Sequence, residues 1–95
     1  MAATRPRARA DLTVVELDGE AVIYDERSGE LHHLNGSATL IFGLLDGTAT
    51  VRELAADVAA AFGVPAGEVA SQIRALLRQF RSLGLLDGSP SPADA

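Results

Sequence analysis

A change of period at Asn35 constrains this chain more than any other feature. The stretch from Glu30 to Gly47, ELHHLNGSATLIFGLLDG, reads as a short strand that stops at Asn35 and turns at once into a helix. Beyond Asn35, the residues Ala38, Ile41, Phe42 and Leu45 fall at i, i+3, i+4 and i+7, which is one face of a helix. Asn35 is a favoured N-cap type, because its side chain accepts from the free N–H groups of a first turn. Asp46-Gly47 is a good stop. Upstream of this block the chain is strand-like; downstream it is helical.

The strand-like half is DLTVVELD and EAVIYDE, rich in β-branched residues and joined by Asp18-Gly19. That pair suits a two-residue type I′ turn, which needs positive φ at both positions. Arg27-Ser28-Gly29 makes a second turn into the strand Glu30 to Leu34. A three-stranded antiparallel meander follows, its third strand at an edge. In the helical half, the spacing predicts a first helix over about Gly36 to Asp46. A second helix opens at a Thr50/Glu53 capping box, runs to Phe62 on the stripe Val51, Leu54, Ala55, Val58 and Phe62, and ends at Gly63. A third runs from Pro65 to about Leu83 with Val69, Ile73, Leu76, Leu77 and Phe80 as its apolar face, and Leu85 and Leu86 fold back to close the core. The expected fold is α+β and winged-helix-like, a three-stranded antiparallel sheet followed by three helices. The domain spans residues 11–87, between a flexible N-terminal arm (residues 1–10) and a disordered tail (residues 88–95).

Composition narrows the function. With 95 residues the chain is one domain, and 47% apolar content with 4% aromatics asks for a core of Leu, Val, Ile and Ala. The absence of cysteine removes disulfides, thiolate metal sites and thiol nucleophiles, and fits a reducing cytosol. No apolar run approaches the roughly 20 residues that span a bilayer, and the first ten residues lack the apolar region of a secretory signal. A cytoplasmic protein without membrane contact is the expectation. The net charge of −5 argues against nucleic acid as a partner.

No catalytic constellation is visible. The 13 carboxylates are scattered over turns, strands and helix surfaces. His32 and His33 are neighbours on a strand and point to opposite faces, so they cannot chelate one ion together. Ser37 follows a glycine and suits a helix N-terminus better than a phosphopantetheine arm. No metal, cofactor or enzymatic activity is therefore expected. Arg74, Arg78 and Arg81, at i, i+4 and i+7, form a basic stripe on the third helix. The stripe complements the negative end of the helix dipole, or flanks a groove and attracts an acidic partner. Leu40 and Leu44 lie off the core stripe and would suit a homodimer contact.

Several segments together resemble one family. The Ser28-Gly29-Glu30 turn, the strand ending Leu34-Asn35, SATLIFGLL, Asp46-Gly47, TVRELAADVAAAFGV and Leu83-Gly84-Leu85-Leu86 look like the PqqD family in order and spacing. Its members are recognition domains of pathways that make and modify ribosomal peptides. The nearest likeness is to stand-alone members, including those of lasso-peptide systems. The resemblance implies a non-catalytic peptide chaperone that binds a precursor's leader peptide as a fourth strand. It would present the leader to a modifying enzyme such as a radical enzyme or a protease/cyclase partner. An exposed sheet edge suits such β-augmentation. The resemblance places the leader along Leu31, His32, His33 and Leu34 and against the third helix at Ile73, Arg74, Leu77, Arg78 and Arg81. Family members often carry aromatic residues in the third strand, where this chain has Leu31 and His32. The rival reading is a winged-helix DNA-binding regulator that reads DNA with the third helix.

Overall fold

The computed structural model describes residues 4–87. Three strands, β1 (Thr13–Leu17), β2 (Glu20–Asp25) and β3 (Glu30–Leu34), precede three helices, α1 (Gly36–Gly43), α2 (Val51–Phe62) and α3 (Ala66–Ser82). The sheet is antiparallel in the order β1-β2-β3, so both β1 and β3 are edges. This is the expected α+β order.

Local chemistry explains the elements. Asp18 and Gly19 take φ of 54° and 79°, the two positive values that a type I′ turn requires. Asn35 Oδ1 accepts from the Ala38 amide at 2.9 Å and opens α1. Thr50 and Glu53 close the capping box in both directions, at 3.2 and 2.9 Å. The α1 helix ends earlier than its apolar period suggests. After Gly43 the chain tightens, with the Leu45 amide bonding the Phe42 carbonyl three residues back, and the Leu45 carbonyl turns out to meet the Ala8 amide at 2.8 Å.

The core lies between the inner sheet face and the helices. Ala21, Ile23 and Leu34 come from the sheet, Ala38, Ile41 and Phe42 from α1, and Val69, Ile73, Leu77 and Phe80 from α3. Phe42 and Phe80 meet edge to face with centroids 5.3 Å apart. Leu85 and Leu86 close it from the C-terminal side, as expected. On α2, Leu54, Ala55 and Ala59 are buried, whereas Phe62, expected on the buried stripe, is 64% exposed.

The first residues differ from a free arm. Pro6 and Arg7 carbonyls accept from Gly47 and Asp87 amides at 3.1 and 2.8 Å, and the Arg9 amide donates to the Leu85 carbonyl at 3.0 Å. Pro6 to Arg9 thus lie between the α1–α2 connection and the C-terminal segment. At Gly47 a side chain is disfavoured twice, by a φ of 81° and by Arg7 Cδ, which would stand 3.2 Å from an added Cβ. The tail at residues 88–95, expected to be disordered, lies outside the described residues.

Candidate functional site: a free sheet edge beside an apolar groove

The hydrogen-bonding parity of the sheet follows from its first turn. A two-residue turn makes Leu17 and Glu20 a hydrogen-bonded pair, so Glu20, Val22 and Tyr24 bond to β1. Ala21, Ile23 and Asp25 are left to bond β3 through their partners Leu34, His32 and Glu30. The second turn is compatible: Asp25 and Glu30 pair across a four-residue loop in which the Gly29 amide donates to the Asp25 carbonyl at 2.7 Å, with Gly29 at φ 74°. The N–H and C=O groups of Leu31 and His33 therefore point out of the sheet. This is a short template for another strand.

The two side-chain rows of β3 have different environments. Leu31 is 68% exposed and joins Val15, Leu17, Val22 and Tyr24 on the outer sheet face. His33 is also on that face, its Nε2 2.8 Å from Glu20 Oε1. His32 and Leu34 face the helices and are buried. His32 Nε2 has no hydrogen-bond partner and lies 3.8 Å from Glu30 Oε2, beyond bonding distance.

Where β3 ends, a mostly apolar groove of about 420 Å³ begins. Ser37 and Leu40 of α1, Phe62 of α2, and Gln72, Ile73 and Leu76 of α3 line it. Exposed Leu40 and Phe62, which serve no core, form its rim. The remaining α3 residues expected at the site divide by helix geometry. At about 100° per residue, Gln72 and Leu76 lie on one flank of the buried stripe and Arg74, Arg78 and Arg81 on the other. Ile73 contributes only a wall of the groove, being 0% exposed. Leu77 is buried in the core and, with Arg81, backs a second cleft of about 350 Å³ against Arg5, Pro6 and Arg7. The structure thus brings Ile73 to the groove beyond β3, sets Leu77 and Arg81 on another cleft, and leaves Arg74 and Arg78 exposed. The mixture arose because a stripe of apolar residues shows which face is buried but not which flank adjoins the sheet edge.

One charged cluster went unrecognised. Asp25 is 3% exposed and receives Arg9 Nη1 at 2.9 Å and Nη2 at 3.2 Å. Arg9 Nη1 also donates to the Gly84 carbonyl at 2.8 Å, and Arg9 Nε and Nη2 bond Asp11. The Arg9 hydrogen bonds hold the Asp25 carboxyl below the ordinary carboxylate range, against the opposing effect of burial. The bonds to Asp11 and then Asp25 in turn push the Arg9 guanidinium up. The signal was in the alternation, since Ala21, Ile23 and Asp25 share a strand face. Among the described residues, no three His, Asp or Glu side chains converge as metal ligands would. No helix there is long and apolar enough to cross a membrane.

No curated protein matches the sequence. Two solved structures share the fold. TbiB1 in complex with the TbiA(beta) leader peptide matches with a TM-score of 0.75 at 21% identity, covering 90% of this chain and 99% of that one. A lasso peptide synthetase B1 complexed with the leader peptide matches with a TM-score of 0.73 at 27% identity, covering 86% of this chain and 96% of that one. The family model for coenzyme PQQ synthesis protein D matches residues 20–86, from the start of β2 to the last core leucine. The chain belongs to the PqqD family.

Proposed function

We propose that this protein binds the leader segment of a ribosomally made precursor peptide and, without catalysis of its own, presents it to the pathway's modifying enzyme. The leader adds to the free edge of β3 and continues into the groove between α1, α2 and α3. The observation that carries this reading is the junction of two features. Outward-facing backbone groups at Leu31 and His33 belong to the strand that passes through Asn35 into α1, and Ser37 and Leu40 of α1 line an apolar groove together with Phe62 and Leu76. A strand supplies main-chain hydrogen bonds, and pockets for side chains supply selectivity. The two structural neighbours, each held with a leader peptide, support the same reading.

The geometry gives DNA reading little support. The net charge is −5, and the α3 arginines lie on the flank away from Leu40 and Leu76. Fluorescence anisotropy tests the proposal. Labelled leader segments of candidate precursor peptides are titrated with the protein, and a labelled DNA duplex is titrated in parallel. Saturable leader binding, competed by unlabelled leader and indifferent to DNA, is expected. Tight, salt-sensitive duplex binding with no response from the leader would overturn it.

A further inference from the structure

Resting on the leader-binding reading, we infer that His32 is a specificity-determining residue: its Nε2 reads a hydroxyl-bearing side chain on the leader strand. Three observations converge. His32 is 8% exposed, and its Nε2 is shielded from solvent with no hydrogen-bond partner in the protein. It stands on the strand whose other edge is free, on the face turned toward the helices. The parity derived above gives His32's own backbone bonds to β2, so an antiparallel leader strand meets it as a non-hydrogen-bonded pair. In such pairs the Cα atoms are closest, about 4.5 Å apart, and the side chains pack against one another. The leader residue opposite His32 therefore projects onto the same inward face as the imidazole.

The chemistry selects the occupant. The Nε2 is already shielded from solvent, so an apolar leader residue opposite it leaves it unsatisfied. A carboxylate would be buried beside Glu30 Oε2, already 3.8 Å from the same nitrogen, and like charges would repel. A hydroxyl both donates and accepts, so it satisfies the imidazole in either tautomer. A Ser, Thr or Tyr opposite His32 fits the site; Ala, Val, Phe, Asp and Glu do not.

A double-mutant cycle between leader and protein tests this. The labelled leader is substituted one hydroxyl at a time (Ser→Ala, Thr→Val, Tyr→Phe) and titrated against wild-type protein and His32→Phe. One position is expected to lose about tenfold in affinity with wild type and less than twofold with His32→Phe. A His32→Gln variant, which keeps hydrogen-bonding capacity, retains most of the discrimination and serves where His32→Phe folds poorly. In the wild type, the ¹⁵N resonance of His32 Nε2 shifts when the leader is added, and shifts less with the substituted leader. Equal losses with wild type and both variants, together with an unmoved Nε2 resonance, would overturn the assignment while leaving leader binding intact. Failure of any leader to bind wild-type protein would instead overturn leader recognition and this assignment with it.

Discussion

Arg9 and Asp25 tie three distant parts of the chain: the first residues, the end of β2 and the Gly84 carbonyl after α3. Removing one partner of a buried pair leaves the other charge uncompensated. Arg9→Ala is therefore expected to destabilise the fold by about 3 kcal/mol, measured by urea unfolding at pH 7. The pair also sets an acid limit. A carboxyl held below its unfolded value of about 3.9 binds fewer protons folded than unfolded, so its stabilisation is full above that pH and is lost as pH falls through the folded value. Wild-type urea midpoints should fall below about pH 4, and Asp25→Asn should flatten that part of the profile. Strand alternation carried Asp25 onto the buried face, but not the identity of its partner. Arg9 sits 16 residues away, in a segment without a useful period.

At the scale of elements, β3 makes opposite demands at neighbouring residues. His33→Pro removes an outward donor and no ladder bond, whereas His32→Pro removes a bond to β2. His33→Pro is expected to keep its far-UV spectrum and weaken leader binding at least tenfold; His32→Pro is expected to unfold. On the helices, Leu77→Ala removes a core side chain and should cost about 2–5 kcal/mol. By contrast, Leu40→Glu should leave stability nearly unchanged and abolish most leader affinity, because Leu40 lines the groove and not the core. Circular dichroism melts with parallel titrations separate the two. The elements themselves were legible, since their signals are local: Asn35, Asp18-Gly19 and the Thr50/Glu53 box act within a few residues of themselves. The groove was not. Leu76 and Arg74 both neighbour the buried stripe in sequence, and only the packing of α1 against α3 decides that Leu76 lines the groove.

Over the whole molecule, one side of the sheet packs a core while the other exposes an apolar row, and one flank of α3 lines a groove while the other carries arginines. The βββααα order and the core leucines could be read from periodicity. The docking of Pro6 to Arg9 could not, because it depends on main-chain bonds to Leu45, Gly47, Leu85 and Asp87, which leave no mark on sequence pattern. The proposed recognition of a leader through main-chain pairing and apolar pockets, by a protein of net charge −5, should show a mild salt dependence. Leader affinity is expected to change less than about threefold between 50 and 300 mM salt in anisotropy titrations. Amide hydrogen exchange on β3, with and without leader, bears most directly on strand addition. Protection of the outward Leu31 and His33 amides on leader binding, with His32 and Leu34 already protected in the free protein, is the predicted result. Saturating leader that left Leu31 and His33 exchanging at their free rates would contradict it.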